Sequence, residues 1–340
     1  MPLHDEAAEV RAPSVPSMLD LLRLSRRRLF PPGGVELYRQ IALLTEMSSG
    51  HDVLGVAVGK GVSLEYFVKE HGVSASGVDV DPVMVAEAEA WSREEGIADR
   101  LQFQTGRSDA LPYRDEIFDL AIGEIGLANH CEPEDAIREL VRVTKPGGFV
   151  VLLQLVWKAP VDEVRKGVLS EHLGARPLMV VEWKRLLRES GVHDVHAEDW
   201  SDEETAFRPT VVKPFPDFAE LFSLPERIGI LRRAWRRWGW RGVSSVIARE
   251  SEVHRLLTNE RILGLDLLRG RKKAPDESSS LGDAAEDAEP VSASVAALPH
   301  PADAQDAPPD RAESGSSDTD TIGLPLFGSD EHAEPNDPSD

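Results

Sequence analysis

Between Val53 and Val156 short β-branched runs alternate with stretches of helical period, and this alternation restricts the chain more than any other feature. Strands separated by helices cannot close as hairpins; they need crossover connections, so the pattern calls for βαβ units and a parallel sheet. It predicts strands at Val53–Val58, Ala75–Val80, Leu101–Gln104, Asp119–Glu124 and Gly148–Leu155. Helices are expected at Leu64–His71, Val83–Glu95 and Glu134–Val143. Pro133 stands at the entrance of the last, where its missing N–H costs nothing, and "KPGG" is expected to end it. A further helix at Met179–Ser190 leads to a strand at Val192–Asp199, and a strand-like run returns only at Arg261–Arg271.

This spacing leaves Ser201 to Asn259 as a helical insertion before the last strand. A basic-apolar segment, Ser17 to Met47, precedes the first strand and is interrupted by "FPPGG". The expected organisation is therefore an entry or cap segment at 1–47, a core at 48–200 and 260–272, an insertion at 201–259 and a tail at 273–340. From Ala274 onward, 17 acidic residues face the single Arg311, so the tail holds −16 of the chain's formal −22. With almost no large apolar residues it cannot offset its ordering entropy, and disorder is expected there. Its exception is the apolar island "TIGLPLFG", Thr321 to Gly328. The charge of the first 273 residues is ordinary for a globular domain.

Cys131 is the only cysteine, which excludes an intramolecular disulfide and a cysteine-based metal cluster; no metal is expected. The N-terminal "MPLHDEAAEV" lacks a signal-peptide layout, and the longest apolar run, "FVVLLQLVW", is too short to span a bilayer. The expected location is the cytoplasm.

The first strand runs into "VAVGKG", where Gly59 and Gly61 are spaced G-x-G and Ala57 stands where a third glycine would complete G-x-G-x-G. Glycine suits a bend whose backbone must approach a ligand closely or take positive φ. Neither a dinucleotide fingerprint nor a phosphate P-loop fits the frame. The second strand ends in "GVDVDP", placing Asp79 twenty residues after Gly59, at the sheet edge beside the bend and within reach of two ribose hydroxyls.

Taken together, "VLGVAVGKG", "GVDVDP", "GRSDALPYRDEIFDLAIGE" and "AIRELVRVTKPGGFVVLLQ" resemble class I S-adenosylmethionine-dependent methyltransferases of small-molecule type, over about Val53 to Leu155. The resemblance implies an α/β, Rossmann-like, seven-stranded, mostly parallel sheet flanked by helices, with an antiparallel last strand after the insertion. It implies S-adenosyl-L-methionine as cofactor. Gly59 and Gly61, with Ala57 in the same bend, would face its methionine part; Asp79 would bind the ribose and Val80 pack on adenine. Ser108 or Asp109 would meet the adenine edge. Two positions depart from the family: Gly55 stands where an acidic residue is usual, and Arg107 where an adenine-binding Asp is common. Losing one charge-assisted contact weakens binding by about tenfold to a hundredfold, so an incomplete but working cradle is expected.

Methyl transfer from a sulfonium is an in-line displacement in which positioning carries most of the rate. An O–H or N–H acceptor also needs a proton sink, for which Glu124 and His130 in "GEIGLANHCEP" are the candidates. Cys131 has no evident activating partner. A nucleic-acid amino-methylating enzyme is disfavoured, since "GEIG" stands where a [DN]PP[YF] motif would follow the fourth strand. A cofactor-binding but silent interaction protein is the main alternative.

In the insertion, "IGILRRAWRRWGWRG" is expected to place Ile228, Leu231, Trp235 and Trp238 on one helix face, with Arg232, Arg233, Arg236 and Arg237 opposite or flanking. A cap packing its tryptophans over a substrate cleft, a surface touching anionic lipid and a nucleic-acid contact all remain open, as does masking by the acidic tail.

Overall fold

The computed structural model describes residues 16–201, 221–254 and 262–274. The chain enters through α1 (Met18–Arg23) and α2 (Gly34–Leu44). It then alternates β1 (Asp52–Val56), α3 (Val62–His71), β2 (Ser74–Asp79), α4 (Pro82–Glu94), β3 (Leu101–Thr105), β4 (Phe118–Gly123) and α5 (Pro133–Val143). β5 (Thr144–Trp157), α6 (Glu163–Leu173), the two-residue β6 (Leu178–Met179), α7 (Val180–Glu189) and β7 (Val192–Asp199) follow. The helical stretch α8 (Leu224–His254), two helices joined at a kink at Gly239, and β8 (Leu263–Lys272) complete the described elements.

The sheet runs β3-β2-β1-β4-β5-β8-β7, with β6 beside β5. Its pairs are parallel except that β8 lies antiparallel between β5 and β7, the position expected for the strand after the insertion. Parallel strands covered on both faces read as continuous apolar runs. The last nine residues of β5 are all buried accordingly. One face packs under α2 and α3 through Leu37, Ile41, Leu64 and Phe67; the other packs under α5 and α7 through Ile137, Leu140, Trp183 and Leu187.

Local signals set most boundaries. Asp81 caps α4, its side chain accepting the Val83 N–H with Pro82 in the first turn, and Gly72 ends α3 in the left-handed region. Two expectations need correction. "KPGG" does not trail a helix: α5 stops at Val143 and Lys145–Gly148 already belong to β5, where the pairing with β4 shifts register and Gly147 takes φ of 75°. The helical face in the insertion is also different, since α8 buries Ile230 and Ala234 and leaves Ile228 and Trp235 in solvent. α6 has no counterpart among the expected elements. Its apolar Val164 and Val168 are exposed, so no clear core-facing period marks it. The acidic segment from Pro275 onward, with its Thr321–Gly328 island, lies outside the described residues.

β1 and β4 run side by side in the centre of the sheet, and β2 and β5 flank them. Their carboxyl ends therefore open together, at the point where the strand order turns back, which is where open α/β sheets bind ligands.

Candidate active site

The bend after β1 is built from three residues that leave ordinary backbone space. Ala57 has φ of 64°, Gly59 54° and Gly61 68°. For alanine the left-handed region costs about 1 kcal/mol, so Ala57 brings strain to the bend as well as a methyl group. The Ala57 N–H donates to the Val78 carbonyl at 2.8 Å and the Gly61 N–H to the Val58 carbonyl at 3.0 Å, which holds the turn shut.

Gly59 and Gly61 are glycines for different reasons. A Cβ on Gly59 would meet nothing, whereas one on Gly61 would overlap the Phe103 ring of β3. Lys60, between them, serves the fold: its Nζ donates to the Ser25 carbonyl at 2.6 Å and pairs with Glu87 at 2.9 Å. Arg28 donates to the Lys60 carbonyl at 3.1 Å and pairs with Glu65, so the entry segment is strapped across the bend.

Asp79 closes β2 beneath this bend and is 2% exposed. Its Oδ2 accepts the Gly59 N–H at 2.8 Å and its Oδ1 the Asp81 N–H at 2.9 Å. A carboxylate offers about four acceptor sites, so each oxygen keeps capacity for one more donor.

Glu124, one residue past β4, is 5% exposed and accepts the Ser63 hydroxyl at 2.5 Å. The buried Tyr38 hydroxyl of α2 faces the same carboxyl and the Ser63 hydroxyl. The backbone is fixed as well: the Glu124 N–H donates to Val56 at 3.0 Å and its carbonyl accepts from Gln154 at 2.9 Å. Burial, with Asp79 adding repulsion, pushes the Glu124 carboxyl up to about 7, against the lowering effect of Ser63 and Tyr38. Among the described residues neither Asp79 nor Glu124 is ion-paired with a protein cation.

A small hollow, with room for about 20 Å³, opens beside these groups. Ala57, Asp79, Val80, Ser108, Asp109 and His130 line it, so the structure gathers six of the nine expected site residues around one space. Gly59, Gly61 and Glu124 stand behind that wall: Gly59 through its bond to Asp79, Gly61 against Phe103, and Glu124 against Ser63. No hydrogen bond joins Glu124 to His130. Arg23 of α1 and Asn129 also face the hollow, and Gly126 approaches Ala57 so closely that a Cβ there would stand 3.2 Å from the Ala57 methyl. Sequence reasoning passes over Arg23, because its relevance depends on α1 folding back over the strand tips. For Gly126 a signal existed, a glycine two residues past the fourth strand.

Arg107 grips Asp109 through two bonds, Nε to Oδ1 at 2.8 Å and Nη2 to Oδ2 at 2.6 Å, and reaches the His130 carbonyl at 2.9 Å. The guanidinium holds Asp109 below the usual carboxylate range and ties the loop after β3 to the loop after β4. His130 is pushed below its ordinary value by partial loss of solvent and by Arg23 and Arg107, which favours the neutral imidazole. The Cys131 thiol is raised to about 11, chiefly by burial, and stays protonated at neutral pH.

A glycine bend on one strand tip, a carboxylate on the next and a hollow at the switch point define a nucleotide-cofactor enzyme of the doubly wound α/β class. A family model described as a methyltransferase domain matches residues 54–152, the segment that carries this bend, Asp79 and Glu124. Methyltransferase GfsG of Streptomyces halstedii is 26% identical over 65% of this chain and 77% of its own length. An uncharacterized protein of Haemophilus influenzae is 30% identical over 56% of this chain and 76% of its own. Among solved structures, the [4+2]-cyclase SpnF shares the fold with a TM-score of 0.54 and 24% identity, covering 71% of this chain and 82% of that one. The chain belongs to the class I S-adenosylmethionine-dependent methyltransferase family.

Proposed function

We propose that this enzyme moves a methyl group from S-adenosylmethionine to a small-molecule acceptor by direct in-line displacement. One observation carries the cofactor assignment. Asp79 and Glu124 are both buried beside the glycine bend, and among the described residues no protein cation answers either. A buried carboxylate is costly unless paired, so the site suits a ligand that brings positive charge. When bound, S-adenosylmethionine supplies an electrophilic methyl on a sulfonium and an ammonium nearby.

In this reading the free acceptor sites of Asp79 take the two ribose hydroxyls, and Val80 and Ser108 border the adenine. Glu124 acts as a countercharge beneath the bend rather than as a base in contact with acceptor. Gly55 pairs with Ile122, two residues before Glu124, so a side chain at Gly55 and that of Glu124 would lie on the same sheet face. A side chain at Gly55 would press on Val58 and Leu64. The carboxylate missing from β1 is thus provided from β4. His130, neutral and on the rim, is the candidate to hold a proton leaving the acceptor.

Small-molecule acceptors are supported by relatives such as an erythromycin 3''-O-methyltransferase, 30% identical over 54% of this chain, and a norajmaline N-methyltransferase, 24% identical over 58%. These differ in the atom methylated; α1, which brings Arg23 to the hollow, and α8, packed on α1, form the roof that would set the choice here. Calorimetry with S-adenosylmethionine and S-adenosylhomocysteine tests the assignment: both bind, and Asp79→Ala weakens binding severely. Incubating a small-molecule extract with methyl-labelled cofactor then yields a labelled product below the size of a peptide. Label found only in nucleic acid or protein would defeat the acceptor reading.

A further inference from the structure

The roof carries a surface that the methyl-transfer reading does not use. α8 docks on α1 through Ala234, Val243, Leu231 and Trp238, which pack around Leu21, Met18 and Leu24. Arg233 is drawn into this contact, its Nε donating to the Leu24 carbonyl at 2.8 Å. Before a kink at Gly239, where φ is 73°, the side away from α1 carries Leu224, 65% exposed, Ile228, 66%, and Trp235, 59%; Trp240, 68% exposed, follows directly after the kink. Arg232, Arg236 and Arg237 lie exposed among them. An apolar surface of this kind departs from the rule that large apolar groups avoid water, and a tryptophan on each side of the kink deepens the exception.

Charge identifies the occupant. Leu224–Ile247 holds six arginines against the single Glu226, in a chain whose formal charge is −22. Glu226 is already engaged by Arg27 and Ser223. Tryptophan with interleaved arginine suits a boundary where an apolar layer meets anions, since the indole is amphipathic and the guanidinium binds phosphate by a fork of donors. The neighbouring α6 exposes Val164 and Val168, and its Glu163 is paired with Lys166.

We propose that the exposed side of α8 seats the enzyme on an anionic lipid bilayer, with Trp235 and Trp240 at the headgroup level and Arg232, Arg236 and Arg237 on lipid phosphates. The inference stands apart from the acceptor assignment, because it uses no residue of the hollow. It has a consequence for it: α1, clamped beneath α8, carries Arg23 into the hollow, so lipid contact and access to the site share one helix.

Co-sedimentation of the full chain with phosphatidylcholine vesicles, with and without about one third phosphatidylglycerol, tests this. The expected result is binding to the anionic vesicles alone, weakening as salt is raised, with tryptophan emission quenched by brominated lipid. Replacing Arg232, Arg236 and Arg237 by Gln should cut the partition coefficient on the order of a hundredfold. Trp235→Ser with Trp240→Ser should remove the quenching while leaving circular dichroism and cofactor binding unchanged, which separates a lost surface from a lost fold. No binding to anionic vesicles at low salt overturns the proposal, as does binding that survives both sets of substitutions. Vesicles ignored while a single-stranded oligonucleotide binds through the same arginines would also overturn it and assign the face to nucleic acid.

Discussion

The bend after β1 and the roof of α1 and α8 are built on opposite principles. In the bend, buried backbone and carboxylate groups answer one another over about twenty residues of chain, as in the Gly59–Asp79 bond. In the roof, partners come from opposite ends of the described chain, as in the Arg233–Leu24 bond, and much of the apolar surface stays in water. Short loops cost little entropy to close and buried polar groups tolerate little error, so the bend is rigid in design. The roof keeps a free face.

The comparison breaks most visibly at Asp79. Its two anticipated hydroxyl contacts are charge-assisted, so Asp79→Ala should weaken S-adenosylmethionine binding on the order of a thousandfold, measured by calorimetry. A loss below tenfold would mean the ribose does not sit there.

Glu124 sharpens it by pH. Its carboxyl is raised from the ordinary value of 4.5 to about 7 in the folded protein. A raised carboxyl stabilises the apo fold fully below the unfolded value and loses that contribution as pH climbs through the folded one. Urea denaturation should therefore show wild type falling relative to Glu124→Gln by about 3 kcal/mol between pH 4.5 and 8. A bound cation favours the ionised carboxyl, so cofactor binding near pH 7 should release protons. Calorimetry in buffers of different ionisation enthalpy would show it, and Glu124→Gln should abolish the release. A pH-independent stability difference would remove Glu124 from the countercharge role.

Within the bend, Gly61→Ala meets both the Phe103 ring and a φ of 68°, and should cost about 3 kcal/mol. Gly59→Ala meets only the φ of 54° and should cost about 1 kcal/mol. Equal melting temperatures for the two would show that the close approach to β3 is not maintained. In the roof, Arg233→Ala should cost about 1 kcal/mol, the loss of one partly solvated bond, and leave cofactor affinity within threefold, roughly the error of a weak coupling. The smallest effect belongs to Ala57→Gly, which relieves a left-handed alanine and should stabilise the apo protein by about 0.5 kcal/mol in the same denaturation assay.

Much of the bend was legible because its signals are local. A glycine pair, an aspartate at a strand end and an alternation of period are written within short windows, and β7 spans Val192–Asp199 as the pattern predicts. Glu124 was legible as important but not as to where it points. Its face follows from the register of β4 on β1, which buries it against Ser63 and Tyr38 rather than beside His130. The Arg107–Asp109 grip was equally unreadable, since it needs two loop side chains to turn toward each other.

The insertion shows the limit most plainly. Its helix has apolar residues around much of its circumference, so Ile228 and Trp235 fit a core stripe by spacing as well as Ile230, Ala234 and Trp238 do. Sequence determined on its own that the chain builds a parallel α/β sheet with an acid beside a glycine bend, because backbone propensity and side-chain period act between near neighbours. Tertiary structure alone decided which side of α8 is buried and which two carboxylates share a dry corner, because both depend on surfaces that meet only after distant segments have packed.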